Sequence, residues 1–500
     1  MYITASKLYD YIQCPHRVWR DEYGPQDEKI KETNPFVELL WTKGVAYERK
    51  RMSMIEKYLD LSEGTLDERF QKTLEALKQG VPLIYQGVLR NGNLLGIPDL
   101  LKKESTGYYI PIDIKSGFGY EGADEDEGEE GKPKKHYAVQ LALYVDVLRQ
   151  LGFENDYRGV ILDIEGNEIV YNLNDALGVK NKTTLWEFYQ SVRNEVELIM
   201  SDKEKPLPAL ASICKLCPWY NSCTKWVKEN DDPTEITQVG RSKRDVILQD
   251  LGISKASEIP NLDVGAILKQ KAADKKFLSG IGEKTLQSII ARARILKVTQ
   301  KPVIYGKIEF PQVTHELFFD IEDDPTQDFV YMHGVYERSP EGERYIDFTA
   351  HEISPEAEKE TWVNFWKYIQ TLPKDNFSVY YYSHHEKTTY RKMQKKYPDV
   401  ISGKEVDDFF DNPNVIDLYK IVMKNTDWPL SNYSLKALAV YLGFEWRDKT
   451  PSGALSIEWF NKYIETKDQK EMERILLYNE DDCKATMILK DGLVALQAKK

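Results

Sequence analysis

One stretch limits the possible folds more than any other. It is Gly96-Ile-Pro-Asp99-Leu-Leu, followed by Tyr109-Ile-Pro-Ile-Asp113-Ile-Lys115-Ser-Gly117. The pattern predicts two short strands, the first ending at Asp99. Side chains alternate faces along a strand, so Asp113 and Lys115, two positions apart, point the same way. Two carboxylates and a lysine on one sheet face suit metal-assisted phosphodiester cleavage. The carboxylates hold a divalent ion, and the lysine orients or activates the attacking water. An isolated Asp-x-Lys is more often a turn-flanked hairpin with solvated charges, so the rest of the chain has to decide.

A chain of 500 residues holds about two to four domains. With 41% hydrophobic and 30% charged residues it can bury sizeable cores. The segment from Met1 has no basic start followed by an apolar run, and no stretch nears the roughly 18 apolar residues of a membrane span. The expectation is a cytoplasmic protein with no membrane association. There, five cysteines are thiols or metal ligands rather than disulfides. A net charge of −13 argues against a nonspecific nucleic-acid sponge, because phosphate contact needs local positive charge. It is compatible with a nuclease, whose metal-binding carboxylates are themselves negative. Much of the acidity lies in one run, 122–131, expected to be a disordered loop over the mouth of the first site.

Along the chain, helices are expected over 4–23, interrupted at Cys14-Pro15, then over 36–60 and 66–78. Strands follow around 83–89, 94–101 and 107–115, then a helix containing Gln140 and Tyr144, strands at 157–164 and 167–173, and a helix over 181–201. Residues 236–297 are helical and rich in Lys and Arg. The last part opens with a strand, Glu316-Leu-Phe-Phe-Asp320-Ile-Glu322, and a meander, and ends in helices. The expected domains are 1–232, 233–300 and 312–500.

Cys214, Cys217 and Cys223 form C-x2-C-x5-C, with Cys14 far upstream. Four thiolates suit zinc or an iron–sulfur cluster, and spacing alone does not choose. Cys483 stands apart and reads as a lone buried cysteine. Gln140 and Tyr144, at i and i+4, share a helix face. Together, Cys14-Pro, Gly44-x3-Glu48, Gly96-Ile-Pro-Asp99, Asp113-Ile-Lys115, Gln140-x3-Tyr144 and the cysteine triplet resemble the RecB-like PD-(D/E)xK nucleases with an iron–sulfur cluster, including CRISPR-associated exonucleases. The resemblance implies a 4Fe–4S cluster on Cys14, Cys214, Cys217 and Cys223. It also implies Mg²⁺ or Mn²⁺ at Asp99 and Asp113, catalytic Lys115, and support from Gln140 and Tyr144. The family often has histidine as first metal ligand, where this chain has Glu48.

A second centre is legible further on. Asp320 and Glu322 share a strand face, and Tyr478 and Asp482 share a helix face. With Glu386 they form an acidic set of the kind that holds two divalent ions for in-line attack by water, which Tyr478 would position. This order resembles the DEDD exonucleases of the RNase H-like fold, the YprB-type domain in particular, with Glu386 where many members have aspartate and Asp417 as a helper or an N-cap. Between the two centres, Gly280-Ile-Gly282 resembles a helix-hairpin-helix turn, with Gly280, Gly282, Lys284 and Arg292 as nucleic-acid contacts and Arg294 adding charge. Arg391, Lys392, Lys395 and Lys396 form a basic helix face of the kind that is usually plain surface.

The expected architecture is therefore α/β and multidomain. A restriction-endonuclease-like PD-(D/E)xK fold comes first, then a helix-hairpin-helix-like middle, then an RNase H-like fold. The expected activity is metal-dependent cleavage of nucleic acid, DNA before RNA, with a helicase or CRISPR-adaptation protein as the implied partner. Repair, recombination and CRISPR-linked processing are the implied settings. The competing readings are a non-catalytic scaffold that retains nuclease folds and an RNA-processing exoribonuclease.

Overall fold

The computed structural model describes residues 1–31, 34–121, 131–153, 156–178, 181–450 and 452–498. All of the acidic run 122–131 except Gly131 lies outside them. The chain divides into two compact units, Met1–Pro208 with Ser212–Cys223, and Ala209–Ala211 with Thr224–Lys500. No described helix is long and apolar enough to cross a membrane.

In the first unit, helices α1 (Ala5–Gln13) and α2 (Pro15–Tyr23) meet at Cys14. Pro15 cannot donate a helix hydrogen bond but fits the first turn of a new helix, so the break falls where the sequence places it. The helix expected over 36–60 is shorter. Helix α3 spans Pro35–Met52, and Leu59–Asp60 is strand β1. Strands β2 (Leu83–Tyr85), β3 (Leu100–Lys103), β4 (Tyr109–Ile114), β5 (Arg158–Leu162) and β6 (Glu168–Asn172) complete a six-stranded sheet in the order β6-β5-β4-β3-β2-β1. Pairing is parallel for β5–β4 and β2–β1 and antiparallel elsewhere. All six residues of β4 are buried, so its charge at Asp113 is paid for by neighbours rather than by water. Helix α4 (Lys135–Gln150) packs Val139, Leu143 and Val147 into a core with Ile84, Leu101, Tyr109 and Ile161. Helix α5 (Leu185–Met200) joins the same core. The strand expected over 83–89 is interrupted. β2 stops at Tyr85, Gln86 turns left-handed at φ 55°, and a new short strand begins at Leu89.

The second unit begins with a helical stretch, α6 (Arg241–Leu251), α7 (Val264–Ala273) and α8 (Glu283–Arg294), around Ile247, Ile259, Leu278, Ile281 and Leu286. A five-stranded sheet follows, from β7 (His315–Asp324), β8 (Phe329–Ser339), β9 (Gly342–Thr349), β10 (Phe377–Tyr381) and β11 (Val415–Asp417). Its order is β9-β8-β7-β10-β11. The first two pairings are antiparallel and the last two parallel.

Alternation along β7 separates two cores. Leu317, Phe319 and Ile321 pack with Trp362 and Phe365 of α9 (Pro355–Thr371). Phe318 turns to the opposite core, with Leu489 and Leu493 of the long helix α13 (Gln469–Ala498). Asp320 and Glu322 continue the Phe318 side, which is how the acidic residues come to face α13. Helices α10 (His385–Lys396), α11 (Leu435–Tyr441) and α12 (Gly453–Thr466) supply the remaining walls.

His333 on β8 lies on the other side, fully buried, with its Nδ1 2.8 Å from the Tyr390 hydroxyl. Burial pushes its pKa down to about 3. A histidine kept neutral in the fold binds a proton first in the unfolded chain, where its pKa is about 6.5. Its stability contribution is therefore complete above that value and is lost as the pH falls towards 3. Urea unfolding of the wild type is expected to lose about 1.4 kcal/mol per pH unit more steeply between pH 6 and 4 than the His333→Gln variant.

Candidate active sites

In the first unit, three carboxylates and a lysine gather at the edge of β4. Asp113 is carried by β4, Lys115 follows its end, Asp99 precedes β3, and Glu48 comes from α3. Lys115 Nζ stands 2.9 Å from Asp113 Oδ2. That oxygen accepts no hydrogen bond of regular geometry, although Asp113 is only 2% exposed. Asp99 Oδ2 accepts from the Ile114 N–H at 2.7 Å. Glu48 Oε1 accepts from the Tyr85 hydroxyl at 2.9 Å and from Gln86 Nε2 at 3.0 Å, and the same Nε2 donates to Asp99 Oδ1 at 3.2 Å.

Burial, then the charge of Asp113, holds Asp99 well above the usual carboxylate range. Burial opposes the Lys115 ammonium, but Asp113 and Asp99 outweigh it and keep its pKa above the ordinary lysine value. Tyr144 is buried, and burial, with Asp113 and Asp99 beside it, pushes its hydroxyl well above the usual phenol range. Its ring passes so close to Gly96 that a Cβ there would stand 2.5 Å from Cδ1, which is the physical reason for glycine at the head of Gly96-Ile-Pro-Asp99. Gln140 is half-buried one turn before Tyr144 on α4.

The four expected cysteines also converge within this unit. Cys14 sits at the α1–α2 junction, and Cys217 N–H donates to the Cys214 carbonyl at 3.0 Å. The segment carrying Cys214, Cys217 and Cys223 is seated on α2. Trp219 donates to Asp21 at 2.9 Å, Arg20 lies 4.4 Å over the Trp219 ring, and Arg20 donates to Ser222 at 2.9 Å. Burial pushes the Cys223 thiol up to about 12, with Cys217, Cys14 and Cys214 adding to the rise. Burial raises Cys217 too, and Arg17 opposes it. Arg17 Nε and Arg20 Nε are buried without a hydrogen-bond acceptor of regular geometry. The four thiols lie near enough for Cys223 to feel the other three, but among the described residues the tight ligand set is the carboxylate trio of the second unit.

In the second unit, ligand atoms of Asp320, Glu322 and Asp482 all lie within 4.8 Å of one another. Burial and mutual repulsion raise Asp320 and Glu322, and burial raises Asp482. Three close carboxylates in such a place fit a divalent cation, which removes the repulsion. Glu386 on α10 stands outside this trio. It is 3% exposed, burial pushes it up to about 7, and Asp320 feels its charge. Asp417 serves as the N-cap of the helix Leu418–Asn425, accepting from Tyr419 N–H at 2.9 Å. Cys483, the lone cysteine, is fully buried.

Three residues missed by sequence reasoning complete this site. Asn479 Nδ2 donates to Asp320 at 2.9 Å and to Glu322 at 3.3 Å. Lys436 on α11 donates to the Tyr478 hydroxyl at 3.1 Å. Trp446 Nε1 donates to Asp482 at 2.7 Å. Asn479 was within reach of helix spacing, being i−3 from Asp482. Lys436 and Trp446 carry no spacing signal, since the chain between them and α13 is irregular in length.

The helical stretch departs from expectation at Arg292. Gly280 has φ 78° and Gly282 caps α8, and Lys284 is exposed. Arg292, expected to grip phosphate, is instead buried, with Nε donating to Asp427 at 2.7 Å and its guanidinium also held by Gln238. A charge with a buried carboxylate partner is committed to the fold. On α10, Arg391 pairs with Asp407 at 2.8 Å and Lys396 with buried Glu358 at 2.7 Å, so at least two of the four basic residues of that face are held in ion pairs.

Acidic centres of this kind, each on the sheet of an α/β unit, define a nuclease, a hydrolase of phosphodiester bonds. Residues 13–224 match the family model of the PD-(D/E)XK nuclease superfamily, and residues 317–494 match that of the RNase_H superfamily. The chain joins an N-terminal PD-(D/E)XK domain to a C-terminal RNase H-like domain. A search of curated proteins found no match.

Gly334 on β8 tests the second site. A Cβ there would stand 1.6 Å from Asn479 Oδ1. Gly334→Ala is expected to displace the Asn479 amide from Asp320 and Glu322 and to destabilise the unit by about 1–3 kcal/mol. Thermal unfolding and Mn²⁺ calorimetry measure the two effects.

Proposed function

We propose that the N-terminal centre hydrolyses DNA, single-stranded or at an end, and that the C-terminal centre is a 3′–5′ exonuclease on DNA or RNA. The observation that carries this reading is the trio Asp320, Glu322 and Asp482 within 4.8 Å, alongside a buried Asp113 oxygen 2.9 Å from Lys115 Nζ. Glu48, Asp99 and Asp113 would hold Mg²⁺ or Mn²⁺ at the first centre, and Asp320, Glu322 and Asp482, with Glu386 nearby, at the second. Such an ion supplies positive charge to the attacked phosphate and acidifies a bound water. Lys115, 2.9 Å from Asp113, would bind and orient the phosphate or the attacking water. Tyr144, buried beside Asp113, would support the Asp113 carboxylate. Tyr478, its hydroxyl held by Lys436, positions the attacking water at the second site.

Two supporting roles belong to the same reading. Cys14, Cys214, Cys217 and Cys223 would hold a 4Fe–4S cluster that pins the two ends of the first domain together. The turn at Gly280 and Gly282, with Lys284 beside it, would contact the nucleic-acid backbone.

The test uses full-length protein and substrates labelled at either end, as matched DNA and RNA. Asp113→Ala and Lys115→Ala are expected to lower one activity roughly a hundredfold or more, and Asp320→Ala and Asp482→Ala the other. Degradation of single-stranded DNA in Mn²⁺ by the quadruple variant would overturn the assignment. Anaerobically purified protein is expected to be brown, with stoichiometric iron and sulfide. A colourless protein with one zinc replaces the cluster by a structural zinc.

A further inference from the structure

Tyr85 and Gln86 are neighbours in sequence, so in a continuous strand their side chains would leave opposite faces of the sheet. Instead both donate to one oxygen, Glu48 Oε1, at 2.9 and 3.0 Å. The break after β2 makes this possible. Gln86 has φ 55°, a left-handed conformation that residues other than glycine, asparagine and aspartate seldom adopt. Its surroundings hold it there. The Gln86 N–H donates to the Asp99 carbonyl at 2.9 Å, and its own carbonyl accepts from Arg69 at 2.7 Å. Backbone strain that the neighbours maintain beside a reactive centre points to a use for it. The use is visible in the side chain, whose Nε2 reaches past Glu48 to Asp99 Oδ1 at 3.2 Å.

We propose that Gln86, with Tyr85, is a clamp that positions Glu48 and Asp99 as a ligand pair for the divalent cation of the N-terminal centre. This rests on the reading of that centre as a metal-dependent nuclease site. An amide is a neutral donor, so it draws two carboxylates together without competing with the cation for them. Asp99 Oδ1 accepts one hydrogen bond and keeps a second lone-pair direction, while Glu48 Oε1 is filled by Tyr85 and Gln86 and leaves Oε2, outside the clamp, for the cation. A glutamate ligand has one more rotatable bond than an aspartate, so its carboxylate swings more widely unless it is held. The clamp thus answers a need created by Glu48, the position where the sequence departs from a histidine ligand. Gln86 is a positioning residue that acts through Glu48 and Asp99.

The experiment uses full-length protein carrying Asp320→Asn and Asp482→Asn, which silences the second site, and titrates it with Mn²⁺ by calorimetry. Gln86→Gly and Gln86→Asn are made in that background. Both new residues accept the left-handed backbone, and neither reaches Glu48. The expected result is a melting temperature at or above that of the parent, with Mn²⁺ affinity lowered roughly ten- to a hundredfold. Unchanged affinity in both variants overturns the clamp. So does a lowered affinity that comes with a lower melting temperature in both, since a purely structural residue gives that pattern. Asp99→Asn in the same background separates the two levels of the argument. If it leaves Mn²⁺ binding intact, the metal site itself is refuted. If it abolishes binding while the Gln86 variants do not, only the clamp falls.

Discussion

Burying Asp320 and Glu322 beside Asp482 incurs both desolvation and like-charge repulsion, and the same holds for Asp99 beside Asp113. Hydrophobic packing offers these groups nothing directly. Each centre therefore depends on donors that reach in from neighbouring elements. In the first they are Lys115, the Ile114 N–H, Tyr85 and Gln86. In the second they are Asn479, Trp446 and, through Tyr478, Lys436. The positions of α11 and α13 make sense as the means of delivering Lys436 and Asn479.

The two centres, on unrelated sheets, arrive at the same local device. In each, one carboxamide NH2 donates to two carboxylates at once, Gln86 to Glu48 and Asp99, Asn479 to Asp320 and Glu322. In each, an unusual backbone feature makes room for it. At Gln86 this is a left-handed residue that ends a strand, and at Asn479 it is a glycine on the facing strand, where any side chain would collide. An amide suits this place because it supplies hydrogen bonds without a charge of its own.

Much of this was legible in the sequence, because period-2 and period-3.6 spacing report which face a residue shares. Asp113 with Lys115, Asp320 with Glu322 and Tyr478 with Asp482 are all read correctly that way as neighbours on one face. The PD-(D/E)xK and RNase H-like folds are implied by family resemblances that the order of the motifs carries, and both superfamily models match. The failures have equally physical causes. Periodicity assumes an unbroken strand, so it carries the strand through Gln86, where the chain in fact turns left-handed. The helix-hairpin-helix-like turn marks Arg292 as a nucleic-acid contact, but its partner, Asp427, is remote in sequence and no local pattern predicts it. Helix α3 was drawn too long because its apolar residues continue past Met52 into segments that pack without helical geometry.

The thiols have a consequence in time. Cys14 lies in the first helix pair of the chain, whereas Cys214, Cys217 and Cys223 close the first unit. On a ribosome adding about 5–20 residues per second, Cys14 emerges roughly ten seconds or more before its partners exist. Throughout that interval α1 and α2 have neither Trp219 to stack on Arg20 nor Pro206 to meet His16. The opening helices of this protein must therefore wait, with a bare thiol between them, for the segment that completes their own packing surface.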